Sequence, residues 1–193
     1  MIKGLKVKLK VNNKENTKLF GSAGVSIWAY NYALSRTEEY FKETGKFLGD
    51  REIRKEITKL KQTEKYSWLY DYSNNITKQA VKDACTAFSN FFKELKKRKK
   101  ELLDVVKKKL AQGKMKVDDI SIKDYKHYPR FKSKKKSDPK FYQDTEKIKF
   151  KDGKVRIEKV GWIRLTEKDR ISEKAKYINP RVSYDGQDWF VSV

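Results

Sequence analysis

Cysteine and histidine are nearly absent from the sequence, and this excludes several kinds of site. Cys85 is the single cysteine among 193 residues, so the chain can form neither an internal disulfide nor a zinc ribbon of the CxxC type. It stands among the apolar positions of a helical pattern, and we expect it in a core. His127, the single histidine, has no metal-ligand companions and is expected at the surface. We therefore expect no metal and no cofactor.

Long hydrophobic runs are also absent. No stretch of 18 apolar residues occurs, and residues 1–10 alternate Lys with Leu and Val where a secretory signal would be continuously apolar. We therefore expect a cytoplasmic protein with no membrane partner. The 37% hydrophobic content, with 25 aromatic residues, is sufficient for a folded core.

Acidic residues are few relative to basic ones in this chain. There are 48 Lys and Arg against 26 Asp and Glu, a net charge of +22, and residues 93–136 contribute +12 of it with 18 basic and 6 acidic residues. Lysine is costly to bury, so this density must face water or a polyanion. Nucleic acid is the polyanion that we expect. A basic surface that only keeps the protein soluble is the alternative.

The hydrophobic pattern predicts helices in the first part of the chain. Apolar residues at three- and four-residue spacing indicate one helix from Leu19 to Gly45 and a second after Asp50. A third helix is predicted to begin near Asn74. The five consecutive basic residues at 96–100 predict a kink or a break in it.

Strand patterns occupy both ends of the chain. Residues 5–11 alternate Leu and Val with Lys, which indicates a strand with one buried face. Near the other end, Asp152-Gly153 and Asp185-Gly186 predict hairpin turns between short apolar runs. The first strand has no neighbour before the helices, so its partners must come from the end of the chain.

Together these patterns predict an α+β fold. We expect a small β-barrel built from residues 1–15 and 145–193 and split by an inserted α-helical lobe. That lobe covers residues 16–126, and a basic linker at 127–144 leads back to the barrel.

Several ordered blocks of the sequence carry a family resemblance. They are Ser26–Leu34, Glu64–Leu69, Gln79–Ala84, Ala87–Phe92, Pro129–Lys135 and the closing Tyr184–Val193. With these blocks the chain resembles TnpB, the transposon-encoded RNA-guided DNA nuclease regarded as the ancestor of type V CRISPR effectors. The resemblance implies a wedge domain, here the barrel, with an inserted recognition lobe.

The chain departs from the family in two places. In the family, a RuvC-like nuclease begins just after the segment that matches Phe190–Val193 and later contains a zinc ribbon; we expect neither here. Two-metal cleavage needs converging carboxylates, and the nearest acidic pair, Asp118-Asp119, is expected to be solvated. Residues 94–126 fill a gap that relatives cross in a few residues. This basic insertion has an apolar stripe at Leu102, Leu103, Val106 and Leu110.

The candidate binding residues are basic, aromatic or amide side chains. The block at 129–136 matches one that the family implies to lie near nucleic acid, and Lys78, Gln79 and Lys82 fall where relatives read the duplex beside the target. Gln can bond an adenine edge, although a surface role is equally compatible. The complete set is Arg130, Phe131, Lys132, Lys134, Lys135, Lys136, Lys97, Arg98, Lys99, Lys78, Gln79, Lys82, Trp28 and Asn31. Trp28 and Asn31 are expected to point outward, and no catalytic residue is predicted.

Three functions are compatible with the sequence. The first is a non-catalytic protein, derived from a TnpB-like nuclease, that binds guide-type structured RNA or target DNA duplex. Such a protein could compete with a full-length TnpB-like or type V CRISPR effector, as an anti-CRISPR-like inhibitor does. The second is the N-terminal half of a split nuclease whose RuvC-like domain is on another chain. The third is an inactive transposon remnant.

Overall fold

The structure, a computed structural model, describes residues 4–102, 104–113, 123, 127–173 and 175–193; of these, 98–102 and 104–106 are described by their backbone alone. The helices are α1 (Asn13–Thr44), α2 (Asp50–Leu60), α3 (Asn74–Leu102) and α4 (Asp104–Ala111). The strands are β1 (Lys6–Lys10), β2 (Lys140–Tyr142), β3 (Lys149–Lys151), β4 (Lys154–Ile157), β5 (Gly161–Leu165), β6 (Arg181–Tyr184) and β7 (Trp189–Ser192). Short 3₁₀ helices lie at Glu64–Asp71 and Lys168–Arg170.

The seven strands of the described residues form one antiparallel sheet in the order β2-β6-β7-β1-β5-β4-β3. Strand β1 pairs with β7 through residues 6–8 and with β5 through Leu9 and Lys10, so it joins the two halves of the sheet. This confirms the prediction that the partners of the first strand come from the end of the chain. Asp152 and Gly153 both have positive φ, as a tight hairpin turn requires, and they connect β3 to β4.

The predicted mixed architecture is confirmed, but a closed barrel is not shown. The two end strands of the sheet, β2 and β3, do not pair with each other, so the described strands form an open sheet. Each is only three residues long, and β2 lies beside α1 and α3. Helices α1 and α3 therefore pack against the end strand β2.

The inward face of the sheet packs on the first part of α1. Period-two alternation puts one apolar set on this face because successive side chains point to opposite sides. Trp189 is fully buried there, and its indole Nε1 donates a hydrogen bond to Asn16 Oδ1 at 2.8 Å. The core also contains Val7, Leu9, Phe141, Phe150, Val155, Ile157, Ile163, Leu165, Val182 and Val191, together with Leu19, Ala23 and Val25 of α1.

A second core lies among the helices. The later part of α1 contributes Ala29, Tyr30, Ala33 and Leu34, against Ile53, Ile57, Val81, Ala84, Phe88, Phe91 and Tyr128. Cys85 packs at its edge, where burial raises the pKa of the thiol to about 11. The break predicted at 96–100 does not occur, because Lys and Arg are good helix formers and α3 continues to Leu102.

Helix α1 belongs to both cores. It has 32 residues, about 48 Å at 1.5 Å per residue. A capping box joins the Asn12 and Glu15 side chains to each other's backbone at its start, and Gly45, with φ of 67°, caps its end. The helix is therefore fixed at both ends and extends from one core into the other.

Gly21 and Gly24 of α1 give a matched test of how closely this helix packs. A Cβ at Gly21 would meet the Tyr72 hydroxyl and lie 2.7 Å from Cε1 of that ring, whereas a Cβ at Gly24 meets nothing within 4 Å. We predict that Gly21→Ala lowers the free energy of unfolding by about 1–3 kcal/mol because the Tyr72 ring must move. Gly24→Ala should raise it by about 0.5–1 kcal/mol through helix propensity. Urea unfolding followed by circular dichroism measures both, and equal midpoints would show that Tyr72 is not held against α1.

Candidate nucleic-acid interface

The outward face of the sheet is strongly basic. Its positions alternate with the buried ones, and none of the seven described strands contains Asp or Glu. Ten outward positions are Lys or Arg, namely Lys6, Lys8, Lys10, Lys140, Lys149, Lys151, Lys154, Arg156, Arg164 and Arg181. The others include the aromatic residues Tyr142, Trp162 and Phe190. We call this surface the basic sheet face.

Four cations stand directly opposite one another on the basic sheet face. Lys10 pairs with Arg164, Arg164 with Lys154, and Lys154 with Lys151, across β1, β5, β4 and β3. All four are exposed, and none makes an ion pair with a residue that the structure describes. Strands lie about 4.8 Å apart, so this row spans about 14 Å. Like charges directly opposite one another destabilise a sheet, and a polyanion would relieve that repulsion.

Aromatic rings lie among these cations. Trp162 is 42% exposed and stands opposite Arg156, which in turn stands opposite Lys149. The ring of Phe190 lies beneath Lys6, with Nζ 4.2 Å from the ring centroid. Exposed rings beside cations can stack on bases while the cations hold phosphates.

At the β2 side, the basic sheet face continues into an open cleft of about 820 Å³. Lys6, Lys140 and Arg181 line it from the sheet, and Asp83 of α3 and Lys132 line it from the other side. The Arg181 guanidinium lies 3.4 Å from the Asp83 carboxylate. The cleft therefore joins the sheet to the segment 129–136, which we call the basic loop.

Asn31 of α1 anchors the basic loop. Its Nδ2 donates to the carbonyl oxygen of Lys132, and its Oδ1 accepts from the amide of Lys132, both at 2.8 Å. The Lys132 Nζ lies 3.7 Å from the centroid of the Tyr30 ring. Burial lowers the pKa of the Lys132 ammonium; nearby Asp83 opposes this effect, and Lys140 and Arg181 add to it. Asn31 does not point outward as predicted, because its amide positions the loop.

The other charged side chains of the basic loop are accessible, and so is its aromatic residue. Arg130, Lys134, Lys135 and Lys136 are exposed, and Phe131 is 55% exposed. The structure thus separates Lys132, which is packed against α1, from neighbours that are free to meet phosphates.

The candidate binding residues on α3 likewise include one that is held by contacts within the protein and others that are exposed. Gln79 Nε2 donates to Asp83 Oδ1 at 2.7 Å, so Gln79 is held in a chain of contacts that ends at Arg181. Lys78 and Lys82 are exposed and lie one turn apart. Lys97 is also exposed, while only the backbone of Arg98 and Lys99 is described.

Trp28 lies in an aromatic cluster and does not project outward as predicted. It stacks on Tyr32, with centroids 5.5 Å apart, and contacts Tyr66 and Trp68 at 5.8 Å each. Burial and a hydrogen bond to Glu56 raise the pKa of the Tyr32 hydroxyl to about 12. Trp28 is thus held mainly by packing.

Other predicted features lie beyond what the structure describes. Leu103, Asp118 and Asp119 fall outside the described residues, and only the backbone of Leu102 and Val106 is included. Among the described residues, no three or more His, Cys, Asp or Glu side chains are grouped to hold a metal ion. No described helix combines the length and the apolar composition needed to cross a bilayer.

Comparison with known proteins gives one informative similarity. No family model matches the chain. InsQ of Escherichia coli (strain K12), whose name describes an RNA-guided DNA endonuclease, is 21% identical over 192 residues. The match covers 100% of this chain and 40% of InsQ. The chain is therefore similar to InsQ over its whole length, but spans about two fifths of the length of InsQ.

The anchoring role of Asn31 can be tested by proteolysis. Asn31→Ala removes both side-chain bonds to the loop, each worth about 0.5–1.5 kcal/mol, so we predict faster tryptic cleavage within residues 130–136. Mass spectrometry of the early fragments locates the cuts. Asn90→Ala, at an exposed position on α3, is the control and should cleave like the parent chain. Identical digestion of both variants would show that Asn31 does not hold the loop.

Proposed function

We propose that this chain binds the phosphate backbone of guide-type structured RNA or target DNA duplex, and does so without cutting it. The observation that carries the proposal is the row of cations Lys10, Arg164, Lys154 and Lys151, placed side by side by strand register. Duplex DNA carries one charge per about 1.7 Å of axis, so a 14 Å row meets several phosphates. Binding there would release counterions from the nucleic acid and reduce the repulsion within the row.

The basic loop extends this surface beyond the sheet. The cleft connects the two, and the exposed Lys134, Lys135 and Lys136 continue the positive charge. In this proposal the sheet corresponds to the wedge of TnpB-like proteins and the helices to the recognition lobe. The similarity to InsQ supports RNA and DNA as the class of ligand.

A chain that binds nucleic acid without cleaving it can compete with a full-length effector for the same ligand. A chain of this kind would occupy the guide RNA or the target of a full-length TnpB-like or type V CRISPR effector and so inhibit it. The second candidate is one half of a split nuclease, with a RuvC-like domain supplied by another chain. The match to 40% of InsQ favours this second candidate, because half of a split nuclease would match only part of a full-length one. An inactive transposon remnant would neither inhibit an effector nor contribute to cleavage.

The salt dependence of binding tests the interface. We predict that Lys10→Gln, Lys154→Gln and Arg164→Gln together make the slope of log K against log salt shallower by about 2–3, since each lost phosphate contact removes about 0.9 on B-DNA. Fluorescence anisotropy with a labelled DNA duplex and a labelled RNA hairpin measures this slope.

The matched control removes the same charge elsewhere. Lys42, Lys55 and Lys59 are exposed on α1 and α2, away from the basic sheet face, and their replacement by Gln should change the slope by less than about one. Circular dichroism should be unchanged in both triple variants. If the slope of log K against log salt becomes equally shallow in both, net charge alone drives binding and the proposed interface is wrong.

Cleavage assays test the second part of the proposal. We predict that the purified chain leaves DNA and RNA intact with Mg²⁺ or Mn²⁺, with or without guide RNA, because two-metal cleavage needs several converging carboxylates. The described residues offer no such group. Metal-dependent cutting that follows the protein peak through purification would contradict this.

A further inference from the structure

Lys61, just after α2, is a buried cation, and none of the described residues is its acidic partner. Its residue is only 6% exposed. Its Nζ donates to Asn74 Oδ1 and lies 5.9 Å from the centroid of the Tyr70 ring, and both partners are neutral. Within the described part of the chain it forms no salt bridge. Burying an unpaired ammonium costs several kcal/mol of free energy, so a bound anion would stabilise this charge.

A cavity of about 290 Å³ adjoins Lys61. Its lining includes two further cations, Arg54 and Lys78, and no acidic side chain. Arg54 is paired with Asp50 at 3.0 Å, whereas Lys61 and Lys78 form no ion pair with a described residue. The wall of this cavity is distinct from the cleft beside β2, which Asp83 and Lys132 line.

The start of α3 forms another part of the wall, through Asn74, Asn75 and Thr77. Backbone amides in a first helical turn favour anions. Glu158 contacts the Ser73 hydroxyl and lies 3.4 Å from Asn75 Nδ2, but it does not line the cavity. Tyr70, which is exposed, also lines the cavity.

We infer that this cavity is a phosphate site, in which Lys61 and Lys78 hold one phosphate group at the start of α3. A phosphate brings a negative charge and several acceptor oxygens, which suit ammonium and amide donors better than a neutral ligand would. The volume is near the lower limit of ligand cavities, so it admits a phosphate with its sugar and not a duplex. The inference rests on the proposed function only for the source of the phosphate, which we take to be the nucleic-acid backbone.

Inorganic phosphate is the first probe. In ¹H–¹⁵N spectra of the labelled chain, phosphate should cause saturable shifts of the Asn74, Asn75 and Thr77 amides that sodium chloride of equal ionic strength does not cause. Lys61→Met should abolish these shifts. Replacing a buried, unpaired cation by an apolar side chain of similar length does not threaten the fold, and circular dichroism checks this.

Lys59→Met is the matched control. It removes one charge two residues earlier, about 200° around the helix, from an exposed position outside the cavity. It should retain the phosphate shifts. Absence of the shifts in the parent chain, or shifts that persist in Lys61→Met, would overturn the phosphate site.

A DNA duplex and an RNA hairpin then identify the source. If the backbone supplies the phosphate, prebound nucleic acid blocks the phosphate shifts, and Lys61→Met weakens its affinity about tenfold. Phosphate shifts unaffected by bound nucleic acid support a site for free phosphate compounds and overturn the backbone source. If phosphate causes no amide shifts but nucleic acid still binds, the phosphate site is wrong and the proposed function is retained. If phosphate causes the shifts but nucleic acid does not bind, the proposed function is wrong and the phosphate site is retained.

Discussion

Helix α1 packs in two hydrophobic cores, and this double packing positions the sheet, the other helices and the basic loop. Its first part covers the inward face of the sheet, and its later part packs on α2 and α3. Between the second core and solvent, Tyr30 and Asn31 hold Lys132 and with it the basic loop. A shift of this one helix would therefore change the sheet, the helices and the loop together.

The same packing explains how the sheet tolerates its charge. An adjacent pair of cations in water repels by about 1 kcal/mol at 4 Å, whereas each large apolar side chain buried on the inward face stabilises the fold by about 1.5–3 kcal/mol. The inward face, from Val7 to Trp189, contains many such side chains. The outward positions are consequently free to carry lysine and arginine, and the fold does not require any of them to be paired.

Several elements of this fold follow from local sequence patterns. The alternation around Val7 and Leu9 predicted β1, and the Asp152-Gly153 pair predicted a hairpin, because both depend on residues close together in the chain. The openness of the sheet does not follow in this way, since it depends on whether the end strands β2 and β3 pair with each other, and these strands lie at opposite ends of the strand order. A charge count likewise could not distinguish Lys132 from Lys134, because a residue 101 positions earlier, Asn31, decides which of them is covered.

The sequence shows that single strands have a basic side, but it does not show how the strands align to form the basic sheet face. Lysines two apart, such as Lys149 and Lys151, show that one side of a strand is basic. The alignment of Lys10 with Arg164 and Lys154 depends on strand register. Register also places Arg181 within reach of Asp83, and Asp83 holds Gln79 through its other oxygen. Asp83 thus connects α3 to the sheet in a cleft that Asp138 and Asp185 also line, and its charge offsets part of the repulsion between Arg181 and Lys132.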